Sequence, residues 1–187
     1  MQKLLGSAVL VGGLALLAIP ASAQKKAGAS SSAPRQETGV DFAADYAKPS
    51  GGSGGIELGV PVDVRVGFLS RSKMMWEPRL TFALSSVGGG TIYTLLPGVN
   101  VLYQLKRGTG THNLIHAPYV TGGLGLVVIG VPGSTSTQFA IGGGVGTRMP
   151  YESAAGRVEG FLSYTFKGGG LPSNFAIGTR LGLSFWH

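Results

Sequence analysis

The sequence predicts an all-β protein, an eight-stranded antiparallel up-and-down transmembrane β-barrel. Three observations predict it. From Val40 onward apolar side chains recur at every second position, in segments separated by Gly, Pro, Ser and Thr. The apolar face of these segments carries no charge, whereas the opposite face carries both signs. Finally, the chain ends on LGLSFWH, where large apolar residues alternate with small ones; an untethered C-terminus is usually polar and frayed.

The first 23 residues have the three parts of an export signal: Lys3, an apolar stretch from Leu4 to Ile19, and Ala21-Ser22-Ala23 as a cleavage site. An uncleaved membrane helix fits less well, because the stretch is short, contains Gly6, Gly12 and Gly13, and runs into Pro20. The chain has no cysteine, which excludes both a lipid-modified N-terminus and disulfides. Residues 24–39, including KKAGASSSAPRQETG, are small, polar and aperiodic, and are expected to form a flexible periplasmic leader. Residues 40–187 then form the barrel domain.

In the first strand Val40, Phe42, Ala44 and Tyr46 oppose Asp41, Ala43 and Asp45. The second sets Ile56, Leu58, Val60, Val62, Val64, Val66 and Phe68 against Glu57, Gly59, Pro61, Asp63, Arg65 and Gly67. Trp76, Leu80, Phe82 and Leu84 define the third, with Glu77, Arg79 and Thr81 behind them; Tyr93, Leu95, Val99, Val101 and Tyr103 define the fourth. The fifth and sixth are glycine-heavy: Val120, Leu124, Leu126 and Val128 against Tyr119, Thr121, Gly123 and Gly125, then Phe139, Ile141 and Val145 against Gly142, Gly144, Gly146 and Arg148. In the seventh Val158, Leu162, Tyr164 and Phe166 oppose Arg157, Glu159 and Lys167. The eighth sets Phe175, Ile177, Leu181, Leu183 and Phe185 against Arg180 and small residues. A tilted strand of about 9 to 11 residues crosses a bilayer, and bacterial barrels have even strand numbers.

The polar faces carry Asp41, Asp45, Glu57, Asp63, Glu77 and Glu159 against Arg65, Arg79, Arg148, Arg157, Lys167 and Arg180. Equal numbers of both signs are what a buried lumen network requires, because unpaired buried charges are costly. A soluble lipocalin-like barrel binding a hydrophobic ligand would use the same alternation with the faces reversed. The membrane arrangement is favoured by aromatic residues near the segment ends (Tyr46, Trp76, Tyr93, Tyr103, Tyr164, Phe166, Phe175 and Phe185), as an interfacial girdle requires. The net charge is +7; removing residues 1–23 takes away Lys3 and leaves fourteen bases against eight acids, +6. That excess lies outside the strand faces, where Glu37 and Glu152 offset part of it, and reads as solubilising turn charge. No nucleic-acid motif accompanies it.

PYVTGGLGL (118–126), FAIGGGVGTRMP (139–150), RVEGFLSYTF (157–166) and IGTRLGLSF (177–185) resemble the small eight-stranded outer-membrane barrels of the OmpA transmembrane-domain, OmpX and opacity-protein type. The resemblance implies residence in a bacterial outer membrane, contact with its lipid, and assembly by the barrel assembly machinery. In that family the last strand ends in an aromatic that serves as assembly signal, here Phe185 or Trp186; the chain departs by ending on His187. A monomer is expected.

No catalytic, cofactor or metal site is expected. GGGVGTR (142–148) lacks the Gly-Lys-Ser/Thr ending of a phosphate loop. His112 and His116 have the i, i+4 spacing of a helical metal pair, but no acid or cysteine stands near them. No His-x-Ser pattern lies on a strand, so a lipid-modifying enzyme is a weak alternative, as is a small pore, since eight strands leave an interior that side chains can fill. Pro61 and Pro97 are expected at bulges or strand ends. The outward loops are expected to be KPSGGSGG, SVGGGT, GVPGSTSTQ and KGGGLPSN, short for an adhesin or phage receptor, and KRGTGTHNLIHA (106–117) to be a long turn at the opposite, periplasmic end.

Overall fold

The computed structural model describes residues 36–57, 62–70, 73–87, 90–105, 117–151 and 154–186. Their strands are β1 (Gln36–Pro49), β2 (Gly55–Glu57), β3 (Val62–Leu69), β4 (Met74–Val87), β5 (Gly90–Gln104), β6 (Tyr119–Val131), β7 (Ser134–Tyr151), β8 (Ala154–Thr165) and β9 (Asn174–Trp186). From β3 onward each strand pairs antiparallel with the next, and β9 returns to β1 in a ladder from Glu37↔Trp186 to Pro49↔Asn174, which closes the sheet. Both β2 and β3 lie against β1, so nine strands occupy eight positions around the barrel. The C-terminal strand is the seam: its apolar residues alternate because it completes the wall.

The second position is offset. Asp45 faces Glu57 while Asp41 faces Asp63, four residues along β1 against six along its partner. An offset of two keeps each side chain on its own face, because the strand period is two. Pro61 itself lies outside the described residues. Pro97, in contrast to the expectation, sits at neither a bulge nor a strand end. It occupies the middle of β5, opposite Leu80, and the β5–β6 ladder skips from Leu95↔Val128 to Gly98↔Gly125 without changing register. With no N–H to donate, Pro97 leaves a local gap in the ladder while the register is kept. A similar gap stands in the β3–β4 ladder between Arg65↔Arg79 and Phe68↔Trp76, around Pro78.

Apart from the divided second position, the strands run 12 to 18 residues, longer than a bilayer crossing needs, and consume the expected loops. GVPGSTSTQ is a two-residue hairpin at Pro132-Gly133, with Gly133 at φ 82° and Val131 paired to Ser134; the remainder is strand. In SVGGGT, Val87 already pairs with Gly90. At the other boundary, β1 begins at Gln36, so Gln36 to Gly39 belong to the wall rather than to a leader. The connection from β5 to β6 is pinned at its base by Leu105 N–H donating to the Pro118 carbonyl; its residues 106–116, His112 and His116 among them, lie outside the described residues.

The outside of the wall is apolar. Leu80, Leu84, Leu124, Leu126, Val145, Leu162, Ile177, Leu181 and Leu183 are all exposed. Most exposed aromatics collect in two bands, Tyr46, Tyr93, Phe139, Tyr164, Phe166 and Phe175 toward one end and Phe68, Trp76, Tyr103, Tyr151 and Phe185 toward the other, with Phe42 and Phe82 between them. In the first band Tyr164 packs edge-on against Phe166, centroids 5.0 Å apart. This is the surface of a barrel immersed in lipid, with rings at both interfaces. It is the reverse of a lipocalin-like barrel, whose outside meets water.

Candidate functional site in the barrel interior

The interior has three tiers. At the end bearing the termini, Leu69, Met75, Leu102 and Tyr119 form a buried cluster, and Trp186 packs against it as a floor. Above that floor lies a layer of charge, and above the charge an open well.

In the charged layer Arg65 is fully enclosed. Its Nε donates to Asp41 Oδ2 at 2.9 Å, Nη1 to Glu37 Oε1 at 2.6 Å, and Nη2 to Ser184 Oγ at 2.6 Å. Arg148 reaches the same Glu37, with Nη2 2.8 Å from Oε2, and lies over the rings of Tyr119 and Trp186 at 4.8 and 5.4 Å from their centroids. Arg157 joins the other side: Nη1 donates to Glu77 Oε2 at 2.5 Å and Nη2 to Glu159 Oε2 at 2.6 Å. The Tyr119 hydroxyl accepts from Arg157 Nε at 2.5 Å and donates to Glu159 Oε2 at 2.9 Å. Arg79 pairs with both carboxylate oxygens of Asp63 and with Asp41 Oδ2, the last at 3.1 Å. Arg180 closes the layer from above, its Nη1 2.6 Å from Glu159 Oε1 and its guanidinium 3.9 Å from the centre of the Phe161 ring. Arginine suits such a place because its planar fork serves several acceptors at once and stays charged.

Small residues make the room. A Cβ on Gly39 would run into the Arg65 guanidinium, one on Gly182 into the Asp41 carboxylate, and one on Gly146 into the Tyr119 hydroxyl. These interior glycines are the space the arginines occupy.

Several residues stand elsewhere than the sequence places them. Lys167 is no member of the layer: it is exposed, in the bend after β8, because the strand ends at Thr165 and the alternation cannot be carried past it. Asp45 faces the interior but makes no ion pair among the described residues. For Glu57 only the backbone is described, opposite Asp45. Glu37, set by the sequence outside the strand faces, is buried at the centre of the layer between Arg65 and Arg148. Of the two C-terminal aromatics, Phe185 points outward and is 45% exposed, whereas Trp186 is turned inward.

The well is a cavity of about 420 Å³. Arg180, Asp41 and Asp63 form its floor, and Ala83, Leu96, Val127, Ile129, Phe161 and Ala176 line its sides. Sequence alternation missed this apolar upper interior. The visible signal is its local failure, in Leu95-Leu96 and Val127-Val128-Ile129, where both faces are apolar. At the rim Gln138 Nε2 donates to the carbonyls of Phe166 and Pro172, at 3.0 and 2.9 Å, and Ser136 Oγ to that of Gly169. These bonds hold the β8–β9 loop at the mouth.

No family model and no curated protein matches the sequence. Solved structures do match the fold. Neisserial surface protein A superposes with a TM-score of 0.61 at 15% identity, over 81% of this chain and 97% of that one. Ail, the attachment invasion locus protein of Yersinia pestis, superposes with a TM-score of 0.56 at 9% identity, over 81% of this chain and 99% of that one. At such identities the likeness is one of architecture: the chain has the fold of the small eight-stranded outer-membrane barrels.

Proposed function

We propose that the chain is a bacterial outer-membrane protein of structural or interaction type, a barrel closed to large solutes and without catalytic activity. The observation that carries this reading is the charged layer. Arginines from β3, β4, β7, β8 and β9 meet acids from β1, β3, β4 and β8 across the barrel. Side chains bonded from wall to wall leave no continuous bore, and eight strands enclose little more than side-chain volume. The apolar exterior between two aromatic bands supports residence in lipid as a monomer. An export signal in residues 1–23 and recognition by the barrel assembly machinery belong to the same reading. For the latter Phe185 is the better candidate of the two aromatics, since it faces outward where a receptor strand would meet it.

The test is fractionation followed by electrophoresis and conductance. Expressed in a Gram-negative host, the chain is expected in the outer-membrane fraction, with a gel mobility that shifts on boiling. In planar bilayers the purified barrel is expected to show no stable large-conductance openings. A soluble periplasmic product without a heat shift would remove the membrane reading; stable openings of porin size would remove the closed interior.

A further inference from the structure

The well above the charged layer has the size and lining of a ligand site. At about 420 Å³ it lies within the ~300–1,000 Å³ typical of small-molecule pockets, and its walls mix apolar side chains with hydroxyls, amides and charged groups. Those polar groups are unevenly satisfied. Arg180 is engaged by Glu159 and stacked on Phe161, and Asp41 and Asp63 are both held by Arg79. Asp45, which also lines the well, makes no direct ion pair among the described residues; the cation acting on it is Arg180, whose direct ion pair is with Glu159. The Asn174 side-chain oxygen, at the rim, is buried without a donor among the same residues. The interior side chains described number six carboxylates (Glu37, Asp41, Asp45, Asp63, Glu77, Glu159) against five guanidiniums (Arg65, Arg79, Arg148, Arg157, Arg180), and the unmatched negative charge falls in the well.

The geometry points to the well as a binding site for a small organic cation, an ammonium carried on an apolar or aromatic body. The body lies against Leu96, Val127, Ile129 and Phe161, and the ammonium donates to Asp45, with the Asn174 oxygen as a second acceptor. A carboxylate of the same shape would bring a second anion to Asp45, and a neutral alcohol would leave Asp45 with only the Arg180 it shares with Glu159. Both are disfavoured in a pocket partly withdrawn from water.

The experiment compares three probes of similar shape, phenylbutylammonium, phenylbutyrate and phenylbutanol, added to isotope-labelled protein. The full chain is expressed in a Gram-negative host, extracted and held in neutral maltoside micelles. The expected result is saturable shifts of the Thr94, Asn174 and Ala176 amides with the ammonium and not with the carboxylate. Asp45→Asn is expected to weaken that binding about tenfold, the worth of one charge-assisted hydrogen bond. Ala83→Phe, which fills the well, is expected to abolish it, and an unchanged heat shift on gels shows that each variant is folded. Equal shifts with ammonium and carboxylate, indifference to Asp45→Asn, or shifts confined to outward residues such as Leu126 would each overturn the proposal.

Discussion

The lower and upper halves of the barrel interior are built from the same wall and do opposite things with it. In the lower half every long side chain is spent on another: Arg65, Arg157, Glu37, Glu77 and Glu159 are enclosed, and each has two or more partners. In the upper half many inward residues are short or apolar, among them Ala83, Thr94, Val127 and Ala176, and they leave space between them. The difference shows that filling, rather than strand number alone, decides whether a small barrel is a plug or a vessel. The charges that satisfy one another fill the lower half, and the space left for a ligand lies in the upper half, beside the one carboxylate, Asp45, that makes no ion pair among the described residues.

The sharpest way to break this contrast is to remove the acid at the centre of the lower half. Glu77 is wholly buried, accepts from Arg157 at 2.5 Å, and lies 3.5 Å from Arg65. Glu77→Leu removes one negative charge from among Arg65, Arg79 and Arg157, of which Arg65 and Arg157 are enclosed. The expected cost is about 3–5 kcal/mol, the usual penalty for orphaning a buried ion-pair partner. Urea unfolding in lipid vesicles, followed by tryptophan fluorescence, measures it. A loss under about 1 kcal/mol, the scale of an exposed pair, would mean that the layer is hydrated or paired differently.

The exterior provides the second test. Leu126 is outward, paired in register with Phe139 on β7, and 45% exposed. Leu126→Arg places a charge on the lipid-facing wall beside the band that holds Phe139 and is expected to cost about 1–3 kcal/mol, between the interfacial and midplane values. Tolerance of this substitution in the same unfolding assay would mean that this face meets water. Combined with Glu77→Leu, the two costs are expected to add, because the residues share no partner and lie on opposite sides of the wall.

How much of this contrast is legible in the sequence depends on whether alternation survives. Where it does, as in Val62 to Phe68 or Phe175 to Phe185, the face of each residue follows from parity, and the interior positions of Asp41, Arg65, Glu77, Arg148, Arg157, Glu159 and Arg180 can be read directly. It fails at the ends. Gln36 and Thr38 are polar although they lie in the wall, so nothing in the pattern marks Glu37 as a strand residue. Lys167 keeps the parity of β8 but stands beyond its last ladder pair, Thr165↔Asn174. It fails again where both faces are apolar, at Leu95-Leu96 and Val127-Val128-Ile129, and there the well is hidden. Pairing is a further step that parity cannot supply: that Glu37 serves both Arg65 and Arg148 follows only from the stagger of closed strands, the second pair being 111 residues apart in the chain.

Arg180 stands at the boundary between the two halves, and its replacement gives the smallest of these effects. Its side chain keeps about a fifth of its surface exposed, and its one direct ion pair among the described residues is to Glu159 Oε1. Glu159 does not depend on it, since the other carboxylate oxygen accepts from Arg157 and from the Tyr119 hydroxyl. Arg180→Met therefore leaves Glu159 with a cation and puts an apolar side chain over Phe161, where the guanidinium lay. A cost of about 1 kcal/mol is expected, well below that of Glu77→Leu, because the boundary residue is partly hydrated and its partner is already served. If Arg180→Met proved as damaging as Glu77→Leu in the same vesicles, the charged layer would extend into the well as one unit. The division between a rigid lower half and an accommodating upper half would then fall above Arg180 rather than at it.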